Sequence, residues 1–247
     1  MLERRKQMLD LIAREGGVSV ANISKQTNVS VVTVRNDLES LASEGLIVRT
    51  HGGAVPAFHP HILQRQKTNA DRKDDIARRA ADMIEDGDHV IIVAGTTTSL
   101  IGKYLLGKRD VHVVTNSTLL LPFARVNPSL QVTLVGGEFK AASEAMVGPI
   151  ALRELSQIHV GKAFIGSDGF TLERGITANQ IDVAEVVKKA ITQSSEVVLL
   201  ADSSKFGKTG FAYMGDIGCV DTLVTDEGLA EQDEKVLRSH GMEVVTV

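Results

Sequence analysis

The first 56 residues show three helical patterns followed by an alternating one. Apolar residues spaced three and four apart predict a helix over residues 3–15, which ends at a pair of glycines. Ser19 and Ser30 are predicted N-caps of a second helix, to about residue 26, and a third, to about residue 43. The alternating segment 46–55 contains two adjacent glycines and predicts a hairpin. This order predicts a small winged helix-turn-helix domain over residues 1–57.

The beginning of the third helix carries hydroxyls, a guanidinium and an amide. Arg35 can reach guanine or a phosphate and Asn36 can reach a base edge, while free amides at the helix N-terminus attract phosphate. The alternative is a plain three-helix cap with a polar surface, but the spacing, the turn and the hairpin together favour a DNA reader. Contacts with double-stranded DNA are expected from Ser19, Ser30, Val31, Thr33, Arg35, Asn36, Arg49, His51 and Gly52.

The same helix also makes predictions about packing. Asp37 has the wrong charge for DNA and is expected to pair within the protein, with Arg35 or Arg49. Apolar residues at helical spacing are expected to face the core, namely Val31, Val34, Leu38 and Leu41.

A connector is predicted over residues 58–80. Pro56 and Pro60 mark a break, and the stretch 62–87 has a helical pattern with one apolar face. Its many basic residues favour an ordinary solvated face. A lever that joins the two domains is the second reading.

The remainder of the chain, residues 81–247, repeats one rhythm of an apolar run, a polar loop and a helical stretch. This rhythm is typical of an open, mostly parallel α/β sheet with helices on both faces. Ligands in such sheets bind outside the carboxyl ends of the strands. The predicted strands are 89–94, 111–115, 131–135, 162–166, 196–201, 221–225 and 242–247.

Five loops at those carboxyl ends are rich in Gly, Ser, Thr, Asn and Asp. The Gly95-Thr96-Thr97 turn offers amides and hydroxyls to an anion, Lys205 adds a cation, and Asp168 can accept hydrogen bonds from sugar hydroxyls. Each loop alone is explained by turn formation and helix capping. Five such loops on one edge favour a pocket for a polar ligand.

Composition and charge narrow the class of protein. The chain has 247 residues, 43% of them hydrophobic and 23% charged, and its net charge is −4. Residues 1–80 carry 13 Lys/Arg and 9 Asp/Glu, whereas the rest carries 14 and 22, so the N-terminal part is mildly basic. A single cysteine, no secretory signal pattern and no apolar run of about 20 residues predict a cytoplasmic protein without membrane contact. No metal cluster, catalytic triad or nucleotide motif is recognisable, so no cofactor is expected.

The segment "RKQMLDLIAREGGVSVANISKQTNVSVVTVRNDLESLASEGLIVRTHGGAV" resembles the N-terminal domain of the DeoR family of bacterial transcriptional regulators. The family pattern is met at Val29, Ser30, Thr33, Val34, Arg35, Asp37, Leu38, Leu41, Gly45, Ile47, Arg49, His51, Gly52, Gly53 and Ala54. The remainder is similar to the sensor domain of that family, whose fold resembles ribose-5-phosphate isomerase and glucosamine-6-phosphate isomerase.

This resemblance implies a repressor of a carbohydrate-catabolism operon that senses a sugar phosphate or related metabolite without converting it. The implied effector-binding residues are Gly95, Thr96, Thr97, Thr98, Asn116, Gly136, Gly137, Asp168, Gly169, Asp202, Ser203 and Lys205. A homodimer or homotetramer is expected, since one recognition helix reads few bases.

Two positions depart from the family. Val93 occupies a position that is usually Asp, and Val183 aligns with a position that is often acidic. These departures predict either an effector that differs from the usual sugar phosphate or one that is bound with fewer polar contacts. The alternative function is a sugar-phosphate isomerase with an accessory N-terminal domain, but the two missing carboxylates and the complete DNA-reading pattern argue against it.

Overall fold

The computed structural model describes residues 3–247, which divide into two compact units. The boundary lies between Lys67 and Thr68. We call residues 3–67 the head and residues 68–247 the body. Each unit has its own hydrophobic core.

The head is a winged helix-turn-helix, as predicted. Its hairpin is joined by a two-residue strand into a sheet of order β1-β3-β2. Met8, Leu9, Ile23, Leu38 and Leu41 are fully buried between the helices and the sheet. The elements are α1 (Glu3–Glu15), β1 (Val18–Ser19), α2 (Val20–Thr27), α3 (Val31–Ser43), β2 (Ile47–Thr50), β3 (Gly53–Pro56) and α4 (Pro60–Lys67).

Two sequence-based expectations about this part of the chain were wrong. Val31 does not face the core: it is 39% exposed, because it occupies the first turn of α3 beyond the contact with α2. The helical stretch 62–87 is not one helix. It is interrupted at Asn69, whose φ of 53° lies in the left-handed region, and α5 (Ala70–Asp82) begins at the next residue.

The body is built on a sheet of seven strands, all of them parallel. Every predicted strand is present and pairs in this sheet. The strands are β4 (His89–Ile92), β5 (His112–Thr115), β6 (Gln131–Leu134), β9 (Val160–Gly166), β12 (Ser194–Leu200), β14 (Thr222–Thr225) and β15 (Glu243–Thr246), in the spatial order β15-β14-β12-β9-β4-β5-β6.

Helices cover both faces of this sheet, which explains why its strands are continuous apolar runs. Successive strand residues alternate between the two cores: Ile165 packs on one side and Phe164 on the other. We call the side of Ile165 the α9 face and the side of Phe164 the α5 face. The remaining helices are α6 (Ile101–Tyr104), α7 (Leu121–Val126), α8 (Gly148–Leu155), α9 (Ile181–Thr192) and α10 (Glu231–Ser239).

Two small antiparallel units were not predicted. One is a hairpin, and the other is a three-stranded sheet of order β10-β11-β13. Their strands have three or four residues and carry little periodic signal. They are β7 (Glu138–Lys140), β8 (Ala145–Val147), β10 (Gly169–Thr171), β11 (Gly175–Ala178) and β13 (Ala212–Gly215).

The strand order locates the point where a ligand is expected. The chain proceeds outward from β4 through β5 to β6, then returns to the other side of β4 with β9 and continues through β12. The order therefore reverses between β4 and β9. Crevices of open α/β sheets form outside the carboxyl ends of strands at such a reversal.

Candidate functional site

The beginning of α3 is an exposed polar surface held in place by its own cap. The Ser30 hydroxyl accepts a hydrogen bond from the Thr33 amide at 3.2 Å, which fixes the first turn. Arg35 and Asn36 are exposed, and within residues 3–247 neither side chain makes a hydrogen bond or ion pair. Two predicted DNA contacts are therefore available to an external partner.

Asp37 joins α3 to α1 through ion pairs with residues that the sequence did not indicate. Its buried carboxylate accepts hydrogen bonds from Arg4 Nε at 2.5 Å and Arg5 Nε at 3.4 Å. The expected pairing with Arg35 or Arg49 was wrong. The hydrogen bond from Arg4 holds the pKa of Asp37 below its ordinary value, with a smaller opposing effect of burial.

The hairpin is attached to α3 and α2 rather than standing free. Arg49 Nη1 donates to Glu39 at 3.0 Å and to the Arg35 carbonyl at 3.4 Å, so its charge already has a partner on α3. Gly52 accepts a bond from the Val20 amide at 2.8 Å, and its own surface is exposed, as is that of His51.

Ser19 is placed at the start of α2. Its hydroxyl accepts a bond from the Asn22 amide at 3.2 Å, as expected of an N-cap. Thr33 is half-buried, and its hydroxyl lies 2.9 Å from that of Ser30. These hydroxyls therefore shape the surface around Arg35.

In the body, the loop after β4 leaves backbone amides free at the predicted position. Among the described residues, the amides of Gly95, Thr96 and Thr97 donate no hydrogen bond. Thr98 closes the loop instead of facing a ligand: it is fully buried and its hydroxyl donates to the Val93 carbonyl at 2.7 Å. The loop therefore has the features of an anion cradle, three amides beside the strand-order reversal.

Asn116 organises the edge of the sheet with both ends of its amide. Its Oδ1 accepts a bond from the Ala94 amide at 2.8 Å, and its Nδ2 donates to the Met146 carbonyl at 3.0 Å. Because the side chain is buried and fully bonded, it positions the loop after β4.

The structure places Gly136 and Gly137 beside the strand that leads to Asn116 but far from the predicted residues after β12. They follow β6 at the sheet's margin, four strands from β12, which is about 19 Å at the usual strand spacing. The Gly136 amide donates to Glu154 at 2.6 Å, so a carboxylate of the chain already occupies it. Gly137 has a φ of 144°, and a Cβ there would lie 2.6 Å from the Val147 carbonyl oxygen.

Asp168 lies where β9 ends, at the reversal. One of its oxygens accepts a bond from the Asn179 amide at 2.8 Å, which joins the end of β9 to the segment before α9. Gly169 is packed tightly, since a Cβ there would lie 2.5 Å from the Lys208 carbonyl oxygen. Asp168 thus borders the crevice, and Gly169 permits the close approach of the neighbouring loop.

The loop after β12 is bonded to α5, which the sequence did not reveal. Asp202 Oδ1 accepts bonds from Asn69 Nδ2 at 3.0 Å and from the Ser204 amide at 3.2 Å. Ser203 donates from its amide and its hydroxyl to Asp226, at 2.7 and 3.0 Å. These bonds form a network beside the reversal.

Arg72 completes this network from α5. Its Nη1 lies 3.1 Å from Asp226 Oδ1 and 3.4 Å from the Ser203 hydroxyl. Burial favours a raised pKa for Asp226, but the amides of Ser203 and Gly228, the Ser203 hydroxyl and the Arg72 charge together hold that pKa below its ordinary value. The neighbouring Lys73 is also buried, at 6% exposure. A cluster of long-range contacts at the start of α5 has no local sequence signal.

Lys205 has the features expected of a ligand-binding cation. It is half-buried, and no hydrogen bond or ion pair within the described part of the chain uses its ammonium group. Val93, by contrast, is 2% exposed in the apolar core of the α9 face, and Val183 packs partly buried against the same core. These two departures therefore place apolar side chains in the core, where they offer no carboxylate to a ligand.

Two further observations concern residues 3–247. They include no group of three or more His, Cys, Asp or Glu side chains placed to hold a metal ion. No helix among them has the length and apolar character needed to cross a bilayer.

Known protein families match both units. Residues 4–57 match the family described as "DeoR-like helix-turn-helix domain", and residues 68–227 match "DeoR C terminal sensor domain". The chain belongs to the DeoR family. Among DeoR-type relatives, the HTH-type transcriptional repressor GlcR of Bacillus subtilis is 35% identical over 228 residues, 91% of this chain and 88% of the relative.

Two other similarities concern a second regulator and an enzyme. The glycerol-3-phosphate regulon repressor of Escherichia coli is 30% identical over 247 residues, 98% of this DeoR-family chain and 97% of the relative. The ribose 5-phosphate isomerase A of Methanocaldococcus jannaschii aligns with 19% identity and a TM-score of 0.42, over 56% of this chain and 55% of that one. At that TM-score the alignment assigns neither a fold nor a ligand.

Proposed function

We propose that this DeoR-family chain is a transcriptional repressor of a carbohydrate-catabolism operon, and that a sugar phosphate or related phosphorylated metabolite controls its binding to the operator. One observation carries this proposal. The beginning of α3 presents Arg35 and Asn36 without internal partners, on a helix that the Asp37 ion pairs hold rigidly. A preformed and unpaired polar helix end is what entry into a DNA major groove requires.

DNA binding uses two kinds of contact. Arg35 and Asn36 reach base edges, while the amides at the start of α3 and the exposed His51 face phosphates. A helix of this length reads only a few base pairs, so a specific operator needs two heads on two half-sites. The active form is therefore a homodimer or a homotetramer.

Effector binding uses the crevice between the ends of β4, β9 and β12. The free amides of Gly95, Thr96 and Thr97 accept the phosphate, and the Lys205 ammonium compensates its charge. Asp168 lies at the adjoining strand end, where a carboxylate can accept bonds from sugar hydroxyls. The name of one regulator similar to this chain, the glycerol-3-phosphate regulon repressor, contains a phosphate ester and agrees with this class of effector.

Coupling runs through the start of α5. A ligand that displaces Ser203 or Asp202 breaks or makes bonds to Arg72 and Asn69. Asn69 is two residues from the end of the head and adopts a left-handed conformation, so a change in its bonds acts on the backbone next to this boundary. An effector that distinguishes the two arrangements shifts the affinity for DNA.

The DNA-binding step is tested with Arg35→Ala. A duplex selected from a random pool by the wild-type chain is titrated by fluorescence anisotropy. Loss of one bidentate base contact is expected to weaken binding by roughly 10- to 100-fold. Thermal unfolding is expected to stay unchanged, because the exposed Arg35 side chain makes no hydrogen bond or ion pair within residues 3–247.

The matched control is Arg14→Ala, which removes the same charge from the head. The Arg14 side chain is 72% exposed at the end of α1, away from α3. Its affinity for the duplex is expected to change less than twofold at fixed salt. Equal losses in both variants would mean that only overall charge matters and that α3 is not the recognition helix.

A further inference from the structure

Two polar atoms beside the crevice lack partners although water cannot reach them. Ser167 Oγ and Gln180 Oε1 are buried and make no hydrogen bond. A buried polar group left unsatisfied costs about 1–3 kcal/mol, so most proteins avoid it. The cost is tolerated where the group has a partner in another state of the protein.

These two residues stand on either side of one direct contact. Ser167 precedes Asp168, Gln180 follows Asn179, and the Asp168 carboxylate accepts the Asn179 amide at 2.8 Å. Ser167 projects to the α9 face because Ile165, two residues earlier, packs in the core of that face. Gln180 is the N-cap residue of α9, but its side chain makes no capping hydrogen bond. Both unpaired atoms therefore belong to the junction of β9 and α9.

The junction adjoins the anion cradle. A Cβ placed on Gly166 would lie 3.8 Å from Thr98 Cγ2, so the end of β9 touches the turn that closes the 95–97 loop. Both Ser167 and Gln180 are half-buried as residues, so each lies near the surface of this junction although its polar atom is enclosed. We expect a change of side-chain rotamer to turn these atoms toward a bound effector.

The chemistry of this pair suits neutral hydroxyl groups. A serine hydroxyl donates and accepts, a glutamine oxygen accepts from a ligand O–H, and neither group is charged. A phosphate gains nothing from an amide oxygen, which repels it. The cradle and the junction thus offer different chemistry to the two ends of one ligand.

We propose that Ser167 and Gln180 form a hydroxyl-reading subsite that selects the carbon skeleton of the effector. This inference rests on the proposed function, because it takes the phosphate of the effector to lie on the amides of Gly95–Thr97. The subsite adds discrimination among phosphate esters, which share the phosphate and differ in their hydroxyls.

Thr225 provides the matched control. Its hydroxyl is also buried and unpaired, but the residue is only 1% exposed, and β14 is separated from β9 by β12. Removing this hydroxyl changes the same kind of group at a site that the effector does not reach.

The experiment measures binding of glucose 6-phosphate, glycerol 3-phosphate and inorganic phosphate to the full chain by calorimetry. Ser167→Ala and Gln180→Met are each expected to lower the affinity for the phosphate ester that binds best by about tenfold. Both variants are expected to bind inorganic phosphate with an affinity within twofold of the wild-type value. Thr225→Val is expected to leave the affinities for the ester and for inorganic phosphate unchanged. Without ligand, Ser167→Ala is expected to unfold at the wild-type temperature or above it, since an unsatisfied group is gone.

Three results would overturn the inference. Unchanged binding of the ester in both variants would mean that neither atom contacts the effector. An equal loss for inorganic phosphate would place them in the anion site. A lower unfolding temperature in both variants, with binding lost in proportion, would make them structural. If the wild-type chain binds neither ester, the proposed effector class itself is wrong, and the subsite is rejected with it.

Discussion

The two polar surfaces of this chain are organised in opposite ways. On α3 of the head, Arg35 and Asn36 have no internal partner, and the supporting carboxylate of Asp37 is bonded underneath. At the carboxyl edge of the body's sheet, Asp226 accepts bonds from Ser203 and pairs with Arg72 of α5, and Asp202 accepts a bond from Asn69, which precedes α5.

The difference follows from what each surface has to do. A DNA-reading helix gains from groups that are rigidly presented and already free, because no internal bond must be broken on binding. A sensor must change when a ligand arrives, so its polar groups need internal partners to exchange. The body can therefore report occupancy only through bonds that the head lacks.

The largest expected effect concerns the head, whose hairpin depends on a close contact at Gly53. A Cβ at Gly53 would lie 2.1 Å from the Val18 carbonyl oxygen, at the pairing of β1 with β3. Gly53→Ala must displace the backbone of the hairpin and is expected to destabilise the head by about 3 kcal/mol or more. Operator binding is expected to fall with it, while calorimetry shows an unchanged transition for the body.

Gly52→Ala is the control in the same turn. A Cβ at Gly52 meets nothing within 4 Å, so the expected change in stability is within about 0.5 kcal/mol. Equal destabilisation by the two substitutions would show that the turn tolerates no side chain at all, and that the β1 contact is not what fixes the hairpin.

Periodic elements of this fold were predictable from the sequence, and the reason is physical. The inner strands of the parallel sheet are buried on both faces, so they read as apolar runs rich in β-branched residues, and all seven strands were found, including the exposed edge strand β6. The caps of Ser19 and Ser30 were found because an N-cap is a local interaction. The short strands of the β10-β11-β13 sheet gave no periodic signal.

The candidate sites were predictable only in part, because their chemistry depends on distant contacts. The loop after β4 is recognisable from its own residues. The pairing of Asp37 with Arg4 spans 33 residues, and that of Asn69 with Asp202 spans 133. No local pattern encodes such partners. Gly136 fitted the loop pattern equally well, yet β6 lies at the sheet's margin, and strand order is not written in any single loop.

A smaller effect concerns the support under α3. Asp37→Asn is expected to cost the head about 1–2 kcal/mol, less than for a fully buried pair, because Arg4 and Arg5 remain partly exposed. The folded pKa of Asp37 is lowered, so the folded head binds fewer protons than the unfolded chain. This stabilisation is present above the ordinary pKa of about 3.9 and is lost as the pH falls through the folded value.

Urea unfolding of both forms between pH 7 and pH 3 measures this effect. Wild type and Asp37→Asn are expected to differ most at neutral pH and to converge in acid. Glu39→Gln removes the exposed partner of Arg49 and is expected to cost less than about 0.5 kcal/mol at any of these values. If the difference in the free energy of unfolding between wild type and Asp37→Asn stayed constant down to pH 3, Asp37 would not be the source of the acid response.

The smallest expected effect concerns the body, whose polar groups have internal partners that a ligand can replace. Arg72→Ala removes the contacts of α5 with Ser203 and Asp226 but no residue of the anion cradle. Arg72→Ala is expected to bind the ester with an affinity within twofold of the wild-type value. In the wild-type chain, the ester changes the affinity for the operator by a certain factor. In Arg72→Ala this factor is expected to be about fivefold closer to one, which corresponds to a loss of about 1 kcal/mol of coupling. Arg79→Ala, an exposed residue of the same helix, is the control and is expected to keep the full factor. If Arg72→Ala kept that factor as well, the signal would leave the body by another route. If it instead lost the ester, Arg72 would belong to the binding site and not to the path that joins it to the head.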